Sequence, residues 1–107
     1  MPRLHGFTKK QILDVFEKMV LARKLDEKML TMLKQGKSFF HMGGSGHEAA
    51  QLAAAAAMRS GEDWIFPYYR DAALCIGLGM TSREQLLSFL ARADDPNSGG
   101  RQMPHHY

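Results

Sequence analysis

One stretch of the sequence, HMGGSGHEAA over residues 41–50, combines glycines with two histidines and a helix start. Glycines let the backbone approach a ligand closely, and the first turn of a helix offers free N–H groups and a positive dipole end, so this turn could seat an anion. It lacks the Lys and the Ser or Thr that a Walker-type phosphate loop needs. His41 and His47 could be acid–base groups or ligands, or structural histidines whose ring nitrogens are already hydrogen-bonded.

A second stretch, FPYYRDAA over residues 66–73, places two tyrosine hydroxyls and a guanidinium at the entry of an apolar helix. Arg70 offers a planar, bidentate fork and Tyr69 a neutral donor, a pair suited to a diphosphate or a carboxylate. The alternative is a surface arrangement of Arg70 with Asp71, with the tyrosines packed on the core. Spacing alone leaves both readings open.

A third stretch, GGRQMPHHY over residues 99–107, ends the sequence. Adjacent histidines point in different directions and make a poor pair of metal ligands, so we assign no metal site. A loop that delivers one imidazole or Arg101 to a cleft is favoured. Because a self-contained domain seldom ends on such a segment, we expect residues 94–107 to be an irregular loop at which the chain is cut.

The elements that must position these residues are predicted to be helices. A Ser or Thr followed three residues later by Glu or Gln is the capping box of a helix start. Such pairs occur at Thr8 and Gln11, Ser45 and Glu48, and Thr81 and Glu84. The first helix should run to Gly36. Its apolar positions form two stripes, a first of Ile12, Phe16, Met19 and Val20 and a second of Leu25, Met29, Met32 and Leu33. The two stripes fit either one broad core-facing surface or a second partner such as another subunit.

The second predicted helix carries five consecutive alanines, Ala53 to Ala57, and we expect it to be buried on most sides. Pro67 excludes regular helix just before it, and a short apolar helix is expected from about Asp71 to Leu78. The last helix should end before Pro96, and only WIFPYY has strand character. Residues 1–107 are therefore predicted to be mainly α-helical.

Composition excludes several classes of protein. With 45% hydrophobic and 23% charged residues the chain is typical of a soluble globular domain, and its apolar runs fall far short of the ~20 residues of a membrane span. The first residues lack a secretory signal, so a cytoplasmic protein is expected. The lone Cys75 lies among apolar residues and is predicted to be a buried, inert thiol.

The net charge of +3 is unevenly distributed, since all seven lysines lie in the first 37 residues. This excess of basic residues near the N-terminus is also typical of a nucleic-acid-binding protein. Asp14, Glu17, Asp26 and Glu27 interrupt the lysines, and no row of aromatic residues accompanies them, which disfavours it. Neither a nucleic-acid partner nor a membrane partner is expected.

Taken in order, GHEA, PYYRD and GGRQMPHHY are similar to the N-terminal part of the alpha subunit of the thiamine diphosphate-dependent component of branched-chain 2-oxoacid dehydrogenase complexes. The resemblance extends from about Lys18 to Tyr107. Pyruvate and acetoin dehydrogenase alpha subunits share the first two elements, whereas GRQMP with a following His-Tyr favours the branched-chain type. It implies that residues 1–107 are a truncated, helical N-terminal part of one α/β thiamine diphosphate-binding domain.

The resemblance also implies an activity. Such an enzyme decarboxylates a 2-oxoacid with thiamine diphosphate and Mg²⁺ and transfers the acyl group to a lipoyl-bearing acyltransferase, and its cofactor lies between the alpha subunit and a beta subunit or fused beta domain. Tyr69 and Arg70 match positions that contact the diphosphate, and Tyr68 matches a neighbouring contact. His106 matches the histidine of the loop that leads into the cofactor cleft. His41 lies one residue before Met42, where some members of the family carry an active-site histidine; both histidines are catalytic candidates.

One family motif, a Gly-Asp-Gly followed by a distant Asn that binds magnesium and the diphosphate, is absent from the 107 residues. We therefore expect this fragment alone to bind no thiamine diphosphate and to be inactive, and to self-associate through its alanine helix or its first helix. A helical protein-interaction module without catalysis is the alternative reading.

Overall fold

The computed structural model describes residues 6–107, which form four α-helices and no β-strand. The helices are α1 (Lys9–Lys34), α2 (Glu48–Ala57), α3 (Ala72–Gly77) and α4 (Ser82–Phe89). The predicted mainly α fold is confirmed, and the WIFPYY segment lies in the connection between α2 and α3 without a strand partner in the described residues. No helix within residues 6–107 combines the length and the apolar character needed to cross a lipid bilayer.

Both ends of α1 follow from local sequence. The Thr8 hydroxyl accepts the Gln11 N–H at 3.2 Å, and the Gln11 side chain accepts the Thr8 N–H at 2.8 Å, so the predicted capping box is confirmed. At the other end Gly36 adopts a φ of 76°, and the N–H of Lys37 donates to the Met32 carbonyl at 3.0 Å. This left-handed stop satisfies carbonyls that the last turn of the helix would otherwise leave unpaired.

A single core lies where the four helices meet. Phe89 of α4, Met29 of α1, Leu52 of α2 and Ile76 of α3 are all buried in it. Of the two apolar stripes of α1, the second supplies the core, whereas the first leaves Phe16 60% exposed beside α2. Burial also raises the pKa of the Cys75 thiol to about 12, as expected for an inert thiol.

The start of α2 differs from the prediction. Ser45 does not cap the helix; the cap residue is His47, whose side chain makes no capping hydrogen bond. Gly46, with a φ of 98°, turns the chain out of the helical path after Ser45, and the Ser45 hydroxyl donates to Asp26 of α1 instead. A tertiary contact with a carboxylate has thus displaced the local capping box.

The alanine helix is also less buried than expected. Only Glu48, Leu52 and Ala55 of α2 are buried, and all six of its other alanines are exposed. The reason is that α1 and α3 cover one face of α2 within residues 6–107. On that face the approach is close, because a Cβ added to Gly77 of α3 would lie 2.5 Å from the Cβ of Ala55.

Candidate functional site

The three stretches with chemical potential meet in space. Arg70 donates through Nη1 to the Gly43 carbonyl at 2.5 Å, which joins the second stretch to the glycine turn. His41 Nδ1 lies 3.1 Å from His105 Nε2, which joins the turn to the third stretch. The rings of Tyr69 and His106 are 6.3 Å apart between centroids. The five predicted site residues therefore belong to one neighbourhood, although they are not equivalent within it.

Arg70 has unused donors. Its guanidinium carbon lies 5.6 Å from the centroid of the Tyr69 ring, and only Nη1 makes a hydrogen bond to another described residue. No carboxylate of residues 6–107 lies within 4.0 Å of it. Asp71 instead accepts the Tyr68 N–H at 2.9 Å, so the alternative of an Arg70–Asp71 pair is wrong. A half-buried guanidinium with free donors and no counter-charge suits an anion.

The backbone of Arg70 is held by α2 and by the glycine turn. Gln51 donates through Nε2 to the Arg70 carbonyl at 2.9 Å and accepts the Leu74 N–H at 3.3 Å. A Cβ on Gly44 would come 2.8 Å from that same carbonyl, so a glycine is needed for the close approach. Sequence reasoning missed Gln51, and no local pattern distinguishes it from an ordinary helix residue.

The two tyrosines and His106 form the exposed side of the site. The Tyr68 and Tyr69 rings are 4.8 Å apart, and neither hydroxyl hydrogen-bonds within residues 6–107. His106 is exposed, and its Nδ1 lies 3.1 Å from the Met103 carbonyl and 3.0 Å from the Pro104 carbonyl. Because carbonyls only accept, Nδ1 of His106 carries a proton, whereas Nε2 makes no hydrogen bond within residues 6–107.

His41 is placed differently from His106. Its side chain is only 5% exposed and packs edge-on against the Phe89 ring at 5.7 Å. Its Nε2 lies 2.8 Å from Asp26 Oδ1 and its Nδ1 contacts His105, so both ring nitrogens are occupied. His47, by contrast, is exposed at the start of α2. The burial and the two occupied ring nitrogens of His41 suit a structural role more than direct contact with a substrate.

Asp26 joins α1 to the glycine turn. It accepts from His41 and, at 2.5 Å, from the Ser45 hydroxyl. The hydrogen bond from His41, with help from Ser45, holds the pKa of Asp26 below its ordinary value despite burial. Ser45 and His41 share this carboxylate without contacting each other, so the arrangement is not a nucleophile with its general base.

His105 is the buried member of the histidine pair. It is 2% exposed, and burial lowers its pKa to about 4. Its Nδ1 lies 3.0 Å from the Tyr107 hydroxyl, and its φ of 68° is unusual for a residue other than glycine. The pair of adjacent histidines is visible in the sequence, but only His106 was predicted to belong to the site.

The loop before them is organised by Asp95. This buried carboxylate accepts the N–H groups of Asn97, Ser98 and Gly100 and the Ser98 hydroxyl. Burial would raise the pKa of Asp95, yet these hydrogen bonds hold it below its ordinary value. The signal was present in the sequence, since DPNSGG is typical of a turn built around an aspartate side chain.

A second carboxylate, Glu48, fixes the start of α2 against α1. Arg23 donates to it through Nε at 2.6 Å and through Nη2 at 3.2 Å, and the Gly46 N–H donates at 2.8 Å. The hydrogen bond from Arg23 keeps the pKa of Glu48 below its ordinary value. Glu48 is therefore an ion-pair residue between helices rather than the partner of a Ser45 cap.

Within residues 6–107, no three His, Cys, Asp or Glu side chains are grouped so that they could hold a metal ion. The donors present are the Arg70 guanidinium and the hydroxyls of Tyr68 and Tyr69. This set fits the phosphate groups of a ligand and supplies no cation site of its own.

Comparison with known proteins places most of the chain in one protein family. Residues 16–107 match the family model described as dehydrogenase E1 component. The 2-oxoisovalerate dehydrogenase subunit alpha of Bacillus subtilis is 44% identical over 102 residues, which are 95% of this chain and 31% of that protein. The pyruvate dehydrogenase E1 component subunits alpha of Staphylococcus aureus and Staphylococcus epidermidis are each 36% identical over 80 residues, 75% of this chain and 21% of theirs. The chain thus spans at most about a third of the length of these curated relatives.

Proposed function

This chain belongs to the dehydrogenase E1 component family, and we propose that it acts as part of the alpha subunit of a thiamine diphosphate-dependent 2-oxoacid dehydrogenase. The proposed reaction is decarboxylation of a branched-chain 2-oxoacid, followed by transfer of the acyl group to a lipoyl carrier. The observation that carries the branched-chain assignment is the 44% identity, over 95% of the chain, to a 2-oxoisovalerate dehydrogenase subunit alpha.

The cofactor-facing residues in this proposal are Tyr68, Tyr69 and Arg70. Bound thiamine diphosphate would supply the carbon centre at which the 2-oxoacid loses carbon dioxide. Arg70 would donate to its diphosphate through the guanidinium nitrogens that Gly43 leaves free, and the tyrosine hydroxyls would add neutral donors. Exposed His106 would offer Nε2 as an acceptor at the edge of the same site. His41 would support the turn that carries Gly43 rather than touch substrate.

The rest of the site would come from outside residues 6–107. We propose that Mg²⁺ is held by the family's Gly-Asp-Gly and Asn motif, which the 107 residues lack. The 107-residue chain alone is accordingly expected neither to bind the cofactor nor to turn over substrate. A beta subunit or fused beta domain would complete the cleft, a lipoyl-bearing acyltransferase would receive the acyl group, and the proposed location is cytoplasmic.

The proposal is tested with a chimera in which the 102 matched residues replace their counterparts in the Bacillus subtilis alpha subunit, co-expressed with its beta subunit. Isothermal titration with thiamine diphosphate and Mg²⁺ should show binding by the chimera and none by the 107-residue chain. Arg70→Ala should weaken binding by about 1.5 to 3 kcal/mol, roughly 10- to 150-fold, because a charge-assisted hydrogen bond is lost.

Arg83→Ala is the matched control, since Arg83 is an exposed arginine on α4, outside the site. Arg70→Lys, which keeps the charge without the planar fork, should fall between Arg70→Ala and the unmodified chimera. Equal affinities for Arg70→Ala and Arg83→Ala would remove Arg70 from the site. An assembled chimera that binds no cofactor would count against the function itself.

A non-catalytic interaction module is the second candidate, and one feature favours it. The exposed stripe of α1 and the alanines of α2 border an apolar groove of about 310 Å³, lined by Phe7, Ile12, Val15, Phe16, Met19, Ala49, Ala53 and Ala56. Such a surface can also serve self-association or subunit contact. A chimera that assembles with the beta subunit without binding the cofactor would move the assignment to this candidate.

A further inference from the structure

Four side chains from distant parts of the sequence form a continuous hydrogen-bonded row. Asp26 Oδ1 lies 2.8 Å from His41 Nε2, and His41 Nδ1 lies 3.1 Å from His105 Nε2. His105 Nδ1 lies in turn 3.0 Å from the Tyr107 hydroxyl. The row runs from α1 through the glycine turn to the third stretch, and the two imidazoles within it are buried. We call it the Asp26–Tyr107 chain.

The hydrogen bonds of the Asp26–Tyr107 chain allow one arrangement of protons when each of the two histidines carries a single ring proton. An ionised carboxylate only accepts, so His41 must carry its proton on Nε2. Neutral His41 then accepts through Nδ1, which requires the proton of His105 to lie on Nε2. His105 Nδ1 is left to accept the Tyr107 O–H. Every donor therefore points toward Asp26, and every ring nitrogen is satisfied with both histidines neutral.

We propose that Asp26, His41 and His105 are positioning residues that lock the 103–107 loop in this single proton arrangement and thereby place His106 beside Tyr69. The functional meaning of that placement rests on the proposed function, whereas the hydrogen-bonded chain does not. Among residues 6–107, His106 hydrogen-bonds to no helix residue, and its Nδ1 bonds only to carbonyls of its own loop. Its location is thus set by the neighbouring residue that is anchored.

Two further observations make His105 the anchor. It is 2% exposed while His106 is exposed, so the chain turns one imidazole inward and the next one outward. Its φ of 68° lies in the left-handed region, which a residue with a side chain adopts when its surroundings hold it there. Apolar packing alone would satisfy burial at this position, but it would leave His41 Nδ1 buried without a partner.

The first test is nitrogen-15 NMR of the histidine rings in the 107-residue chain at pH 7. His41 and His105 should both be neutral with the proton on Nε2, and His106 should carry its proton on Nδ1. A nuclear Overhauser effect between the rings of Tyr69 and His106 should report their contact. A charged His105, or a proton on its Nδ1, would overturn the proposed arrangement.

Two substitutions separate hydrogen bonding from packing. His105→Gln keeps an N–H donor for His41 Nδ1, so the Nε2 proton of His41 and the Tyr69–His106 contact should persist. His105→Leu fills similar space without a donor and should abolish that contact. If His105→Leu keeps it, packing alone positions the loop and the proposal fails.

Should His105→Leu not fold, Asp26→Ala, which leaves His41 Nε2 no acceptor at this position, provides the second perturbation. Removing the carboxylate should take away the preference of both His41 and His105 for the Nε2 proton, and unchanged rings would contradict a chain directed by Asp26. In the chimera, His105→Leu should lower kcat at least 10-fold and His105→Gln should restore it. The NMR measurements need no cofactor. They can therefore contradict the hydrogen-bonded arrangement independently of whether the chimera binds thiamine diphosphate.

Discussion

Because α2 and α3 approach each other closely at Gly77, the substitution Gly77→Ala should destabilise the protein. The added Cβ would lie 2.5 Å from the Cβ of Ala55 and 2.9 Å from Cδ2 of Leu52. Carbon atoms in ordinary contact are about 3.5 to 4.0 Å apart, so α3 must move about 1 Å away from α2. The end of the Leu52 side chain can rotate aside, but the Ala55 Cβ is fixed to its backbone.

The magnitude follows from two opposing effects. Overpacking of a well-packed interior costs about 1 to 3 kcal/mol, while alanine in place of glycine in a helix regains up to about 1 kcal/mol. Gly77 is the last residue of α3, so the regained part is small. We expect a net loss of about 1 to 2 kcal/mol in the free energy of unfolding, measured by urea titration with helical circular dichroism and an unchanged m value.

The partner substitution supplies the control. Ala55→Gly alone should destabilise the chain by about 1 kcal/mol through helix propensity, but it removes the atom that Gly77→Ala strikes. In the Ala55→Gly background, Gly77→Ala should therefore cost little, giving a coupling energy of about 1 kcal/mol or more. Gly77→Ala that is as stable as the unmodified chain, or a penalty that persists without the Ala55 Cβ, would refute the inferred contact.

Two further predictions concern a helix start and a loop. Thr81→Ala should lower the free energy of unfolding by about 1 kcal/mol, because the Thr81 hydroxyl accepts the Glu84 N–H at 3.2 Å. Thr81→Ser keeps a hydroxyl and should change the free energy of unfolding little. Equal urea midpoints for the two variants would argue against the cap. Asp95 has a lowered pKa in the folded chain, so its stabilising contribution is complete above its unfolded value of about 3.8 and is lost as pH falls through the folded value. The stability difference between the unmodified chain and Asp95→Asn should hence shrink from pH 6 to pH 2, and a constant difference would contradict this.

Those features that depend on neighbours in sequence were predictable. The capping boxes at Thr8 and Thr81 and the left-handed stop at Gly36 all form as expected, since each is a contact among residues three to five positions apart. The mainly α character followed for the same reason. Ser45 is the exception, because a carboxylate on another helix competes for its hydroxyl, and no local rule contains that competitor.

The site was predictable only in part. The sequence indicated Arg70 and its tyrosines as an anion-facing group, yet it left open whether Asp71 would neutralise the guanidinium. The fold decided this by giving the Asp71 carboxylate to the Tyr68 N–H and to Gln51. Likewise, the burial of α2 could not be judged from its alanines, because composition shows that neighbours can approach closely and not how many do.

By itself, then, the sequence determined the helices, their local caps, the candidate anion-binding residues and, through the similarity of its motifs, the family. Only the tertiary structure decided that His41 is held by Asp26, 15 residues before it, and by His105, 64 residues after it. Local propensities act over one or two turns of chain, whereas partners this distant are brought together by packing of the shared core. Hydrogen bonds that form only after such packing, with the proton positions they impose, cannot be read from residue spacing.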